Sequence, residues 1–190
     1  KPGMKLLITG GAGGVGCFAI PLAKWLGAEV TTTASPRGAD LVRELGADAV
    51  IDYTSENLGD YARRFDGALD LVGGDLQQVF NSVVSGGQVV SIAAMPEPRT
   101  AELDLNKGWQ LRTLFWLISY RLRKQAAQAG VHYRYKFMHP SGSELAELTQ
   151  LIDAGTLPVK IDRSFPFEQI DQAFAYLESG RAKGKVVVKL

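Results

Sequence analysis

Cysteine is nearly absent: Cys17 is the single one in 190 residues. That excludes an internal disulfide framework and a four-cysteine structural zinc site. Its place on the first turn of an apolar helical stretch makes it a core residue. The only two histidines, His132 and His139, are too isolated to act as a metal pair, so no metal is expected. Excess charge of either sign is also missing. Lys and Arg number 21 against 20 acids, so bulk charge points to no nucleic acid and no membrane as partner. No apolar run approaches the about 18 residues of a membrane-spanning helix. The start, Lys1-Pro2-Gly3, has no charged segment followed by an apolar one, so the expectation is a soluble, cytoplasmic chain that is a piece of something longer. Its length suits one domain or slightly more, burying about 70% of the unfolded surface.

Glycine, by contrast, is concentrated where it carries meaning. Met4 to Ile8 is an apolar run of strand length, and Cys17 to Leu26 is apolar on nearly every side, like a buried helix. Between them Gly11, Gly13 and Gly16 fit G-x-G-x-x-G in the strand–turn–helix context that such a fingerprint requires. Gly11 allows a tight turn, Gly13 lets backbone approach a pyrophosphate, and Gly16 lets helix and strand pack closely. The candidate cradle is therefore Gly11, Ala12, Gly13, Gly14, Val15 and Gly16, at the positive end of a helix dipole.

Strand and helix signals alternate after this point. Ala28 to Ala34 is β-branched and strand-like, and Pro36 opens a helix that ends before Gly46. Asp48 to Asp52 reads as a third strand, Thr54 to Phe65 as a weak polar helix, and Gly67 to Val72 as a fourth strand. Asp75 caps a helix carrying Leu76, Val79, Phe80 and Val83, and Gln88 to Ile92 is a fifth strand. This alternation predicts an α/β fold, a Rossmann-type doubly wound parallel sheet of about six strands. Leu103 to Gln128 reads as one helix with aromatics at Trp109, Phe115, Trp116 and Tyr120, a face suited to a partner domain or subunit. Val131 to Met138 is the expected sixth strand, followed by a helix capped at Ser141 or Ser143. A strand from Lys160, a helix from Glu168 and a last strand from Lys185 close the chain.

Four segments in order now carry a resemblance: the glycine stretch, Leu45-Gly-Ala-Asp-Ala-Val-Ile-Asp-Tyr53, Asp70-Leu-Val-Gly-Gly74 and Ser85-Gly-Gly-Gln-Val-Val-Ser-Ile92. Together with the closing segment from Phe167 to Val188 they resemble the medium-chain dehydrogenase/reductase superfamily, and within it the zinc-independent quinone oxidoreductase branch. In that family a GroES-like catalytic domain precedes the stretch present here. The resemblance thus implies residues 1–155 as an NADP-binding Rossmann domain with a helical insertion at 95–130. It implies residues 156–190 as a tail that belongs partly to the catalytic domain, its strands without their usual partners. The implied function is hydride transfer from NADPH to a quinone, enone or related carbonyl compound, with no catalytic residue identifiable in this segment. Pairing of two copies along the 131–138 edge strand, as a homodimer, is also implied.

An acid ending the second strand would bind the ribose 2′-OH of NAD, but here that strand runs into Ser35-Pro36-Arg37. One charge-assisted hydrogen bond contributes about 1.5–3 kcal/mol, so Arg37 favours NADPH by roughly ten- to a hundredfold. The family often has a lysine where Gly38 stands. From the resemblance, Tyr53 lies near the adenosine phosphate, and Val72, Gly73, Ala93 and, more loosely, Phe137 contact the nicotinamide; Arg181 is placed to approach the phosphate from the C-terminal tail. Two other readings stay open. Thr9-Gly10-x-x-x-Gly14-x-Gly16 with Tyr120-x-x-x-Lys124 is similar to the short-chain dehydrogenase pattern. A non-catalytic NADPH-binding or dimerisation module has the same glycine loop.

Overall fold

The structure is a computed structural model that describes residues 2–180 and 182–190. Strand β1 (Lys5–Ile8) feeds helix α1 (Gly16–Trp25), and β2 (Glu29–Ala34) feeds α2 (Pro36–Glu44). Then follow β3 (Ala49–Asp52), β4 (Phe65–Asp70), α3 (Leu76–Ser82) and β5 (Val83–Ser91). With β6 (His132–Tyr135) these strands form one sheet in the order β3-β2-β1-β4-β5-β6, every neighbour pair parallel. The order reverses direction between β1 and β4, which opens a crevice at their carboxyl ends, where such sheets bind ligands.

Adjacent residues on β1 show why both sheet faces are covered. Side chains alternate across a strand, so Leu7 and Ile8 point to opposite faces, and both are fully buried. Ile8 packs with Cys17, Ile20, Val30, Leu41 and Val42 under α1 and α2. Leu7 packs with Phe80, Val83, Val89 and Ala126 on the other face, under α3 and helix α6 (Tyr120–Ala129).

Four local expectations are corrected. The 54–65 stretch is not a helix beyond one 3-10 turn, Leu58–Tyr61. Asp52 accepts hydrogen bonds from the Thr54 N–H and hydroxyl and from Ser55, and Asn57 accepts one from Gly59, so side chains take the donors that a helix would use. The expected helix from Leu103 to Gln128 is two, α5 (Trp109–Ile118) and α6, with the Ser119 hydroxyl donating back to the Phe115 carbonyl at the break, and a short helix α4 (Pro98–Leu103) precedes them. The sixth strand is four residues long, because the carbonyl of Tyr135 accepts from the Thr100 hydroxyl and the N–H of Phe137 donates to Asp104. The segment around α4 thereby covers the far end of the sheet edge. Val131 is a core residue rather than part of that edge.

After α7 (Gly142–Asp153), strand β7 (Ile161–Pro166), helix α8 (Ile170–Glu178) and strand β8 (Lys185–Lys189) form a unit of their own. The two tail strands are not left unpaired: they pair with each other in parallel. Lys160 bridges to Glu44 on α2 at 2.9 Å, and the Lys185 ammonium lies 5.2 Å from the centroid of the Phe18 ring on α1.

Candidate functional site

The glycine loop is shaped by contacts that leave no room for side chains. The left-handed residue is Gly10, at φ +69°, rather than Gly11. A β-carbon on Gly11 would lie 2.1 Å from the Thr32 hydroxyl oxygen, and one on Gly16 would lie 2.4 Å from the Gly11 carbonyl oxygen. Thr33 anchors the loop by accepting the Gly10 N–H through its hydroxyl and the Gly11 N–H through its carbonyl. Gly13 donates to the Gly10 carbonyl and Cys17 to that of Gly13, while the N–H groups of Ala12, Gly14 and Val15 meet no acceptor among the described residues. The first turn of α1 carries no acid. Free donors at the positive end of a ten-residue helix fit a pyrophosphate. Burial raises the pKa of the Cys17 thiol beneath the loop, consistent with a packing role.

Asp70, only 1% exposed, organises the adjacent strand ends. Its carboxylate accepts from the hydroxyls of Thr9 at 2.8 Å and Ser91 at 2.7 Å, and from the N–H groups of Val72 and Gly73. The Thr9 hydroxyl in turn accepts from the N–H of Leu71, and that of Ser91 from Ala93 and Ala94. One buried carboxylate thus ties the ends of β1, β4 and β5 together. A β-carbon on Gly73 would lie 2.4 Å from the Ala93 carbonyl, so the two expected nicotinamide positions touch.

A cavity of about 1630 Å³ runs from these strand ends to the tail. Drug-sized sites enclose about 300–1,000 Å³, and an extended dinucleotide needs more. Of the expected residues, Ala12, Gly13, Ser35, Arg37, Tyr53 and Val72 line it, with Tyr53 62% and Val72 61% exposed. Gly11, Gly14, Val15 and Gly16 shape the loop beside it, and Gly73 and Ala93 flank Val72. Phe137 does not line the cavity; it lies beyond the end of β6, where Asp104 holds its N–H. Arg181 lies outside the described residues. Tyr120, of the Tyr120–Lys124 pair, is 55% exposed on α6 and lines no part of the cavity.

The strand β2 ends in Ala34, and Ser35 makes no side-chain capping bond, so its hydroxyl stays available. Gly38 has a packing cause: its β-carbon would lie 2.7 Å from that of Ala12, so a lysine there would displace the glycine loop. Sequence reasoning missed the Thr9–Asp70–Ser91 network, whose signal was a carboxylate ending an apolar, buried strand; such a group needs partners. It also missed Arg163, Tyr176 and Lys183, tail residues that line the cavity.

Comparison with known proteins fits this geometry. The family model described as zinc-binding dehydrogenase matches residues 45–188. The chain is 38% identical to the mitochondrial NAD(P)H oxidoreductase RTN4IP1 of Danio rerio, over 98% of the chain and 49% of that protein. It is 31% identical to the chloroplastic NADPH-dependent alkenal/one oxidoreductase of Arabidopsis thaliana, over 98% and 40%. Among solved structures, the quinone oxidoreductase of Coxiella burnetii superposes at TM-score 0.79 with 31% identity, covering all of this chain and 54% of that one. The chain thus spans about half the length of these relatives. The cytoplasmic expectation is corrected: several relatives at 36–38% identity are mitochondrial by name. No helix among the described residues is long and apolar enough to cross a membrane.

Proposed function

This chain belongs to the zinc-binding dehydrogenase family of medium-chain dehydrogenases and reductases, as a quinone oxidoreductase-like cofactor-binding domain, and from that premise we infer that it serves NADPH-dependent reduction of a quinone or enone. The observation that carries the reading is the cavity itself. Three unpaired N–H groups sit at one helix terminus, and the second strand ends in a serine and an arginine instead of an acid. The loop would hold the pyrophosphate, and Ser35, Arg37 and Tyr53, which line the cavity, would bind the adenosine 2′-phosphate.

Bound NADPH supplies a hydride from its nicotinamide. The chain's own part is orientation. Asp70 fixes the Val72–Gly73 turn against Ala93, and these residues at the strand ends would hold and orient the nicotinamide for hydride transfer. The names of the Arabidopsis and Coxiella relatives support conjugated carbonyls and quinones as acceptors. The proton donor and most of the substrate pocket are expected in a second domain, for which the relatives' extra length leaves room. Pairing of two copies along β6 would use His132 and Tyr133, since the segment around α4 covers the rest of that edge.

The test is turnover. This chain alone should bind NADPH and oxidise none of it with a quinone or an enone. The protein carrying a catalytic domain should oxidise NADPH with one of these acceptors, and Tyr120→Phe should leave its rate within about twofold, since Tyr120 lies outside the cavity. Binding without turnover in the longer protein would instead favour the non-catalytic module. A thousandfold loss in Tyr120→Phe would restore the short-chain reading.

A further inference from the structure

The charges around the cavity are unequally engaged. Its acids are Glu56, Asp70 and Asp75, and each has partners. Glu56 accepts from the Asp52 N–H and the Tyr61 hydroxyl, Asp70 holds the strand-end network, and Asp75 caps α3. Its cations are Arg37, Arg163 and Lys183, and none of them has an ion-pair partner among the described residues. They come from three separate places: α2, β7 and the turn before β8.

The two tail cations are held in position. The Arg163 guanidinium lies 4.2 Å from the centroid of the Tyr176 ring, a cation–π contact that holds its head beside the ring. The Tyr176 hydroxyl donates to Asp162 at 2.7 Å, and the same carboxylate oxygen accepts the Lys183 N–H at 3.0 Å. Asp162 thus binds the turn and the ring, leaving both cationic heads to the cavity. A cavity lined by three cations without ion-pair partners among the described residues, its acids already engaged, has a field that suits a bound anion.

We propose that Arg163 and Lys183 complete, with Arg37, the binding site for the 2′-phosphate of the cofactor, so that this phosphate ties the tail unit to the nucleotide-binding domain. The inference rests on the NADPH reading. It extends that reading from the end of β2, and from the expected tail residue Arg181, to two further tail cations that no fingerprint motif contains. An exposed pair such as Lys160–Glu44 holds a docked unit weakly, so a dianion shared between α2 and the tail should tighten it measurably.

The test compares 2′,5′-ADP with 5′-AMP by calorimetry at fixed salt, on the 190-residue chain and on its Arg163→Gln, Lys183→Gln and double variants. The double variant should lose roughly ten- to a hundredfold in affinity for 2′,5′-ADP, and 5′-AMP should change by less than about twofold. Both side chains are exposed, so folding should persist; Arg163→Lys, which keeps the charge, should recover most of the loss. NADPH at saturation should also slow hydrogen exchange across residues 161–189 more than NADH does. Equal losses for both ligands, or none, would overturn the proposal while leaving the cofactor reading intact. Failure of the unsubstituted chain to bind any adenine nucleotide would overturn both.

Discussion

Gly16→Val is expected to abolish nucleotide binding and to destabilise the domain. Any β-carbon at this position meets the Gly11 carbonyl oxygen at 2.4 Å and the Gly11 carbonyl carbon and α-carbon at 2.6 Å. These are backbone atoms, so no side chain can rotate away, and either α1 or the loop must move. Overpacking of this kind costs about 1–3 kcal/mol, which thermal denaturation resolves. The effect on ligand should be larger than the effect on stability, because the displaced atoms frame the free N–H groups of Ala12, Gly14 and Val15. Affinity for NADPH should fall by about a hundredfold or more, the worth of one or two charge-assisted hydrogen bonds. Gly13→Val provides the contrast. Its β-carbon meets only the Gly10 carbonyl, at 3.3 Å, so the fold should tolerate it while the added side chain blocks the pyrophosphate. Normal melting with lost binding at Gly13 would mark the cradle as a ligand site; normal binding would make the loop structural.

Asp70→Ala should give the second large effect, and it should be felt at the nicotinamide end. The substitution strips partners from the Thr9 and Ser91 hydroxyls and from the N–H groups of Val72 and Gly73, all at buried or half-buried strand ends. Losing a charged acceptor that several groups share costs about 3 kcal/mol or more. Stability is only half of the readout. The turn that carries Val72 and Gly73 is placed by this carboxylate, whereas the adenosine wall of Ser35 and Arg37 is not. NADPH affinity should therefore fall further than affinity for 2′,5′-ADP. Asp70→Asn, which keeps the shape but replaces one acceptor by a donor, should fall between. Equal losses for the two ligands would show that the network supports the fold without placing the nicotinamide turn.

Much of this site is visible in the linear sequence, for a local reason. The glycine loop needs only its own neighbours: an apolar strand before, a buried helix after, and glycines where Thr32 and the Gly11 backbone leave no space. The alternation that follows fixes a parallel sheet, since each helix must return the chain to the same edge. Local chemistry also explains the errors. Around residues 52 to 59 the side chains of Asp52, Glu56 and Asn57 accept backbone N–H groups, which a pattern of apolar residues does not register. What tertiary structure alone supplies could not be read. Gly38 stands where the family often has a lysine, and the reason, Ala12 packed against it, lies 26 residues away in sequence. Arg163 and Lys183 stand more than a hundred residues from Arg37 in sequence; the pairing of β7 with β8 joins the first two, and the contacts of that unit with α2 and α1 bring them to the cavity that Arg37 also lines.

The central claim is that this chain is by itself a folded NADPH site. A paired titration with NADPH and NADH at fixed salt, on the chain and on Arg37→Ala, tests it most directly. The account predicts binding of both, with NADPH tighter by roughly a hundredfold and about tenfold of that preference lost in Arg37→Ala, the rest resting on the tail cations. Binding of neither nucleotide by a chain that melts cooperatively would contradict it.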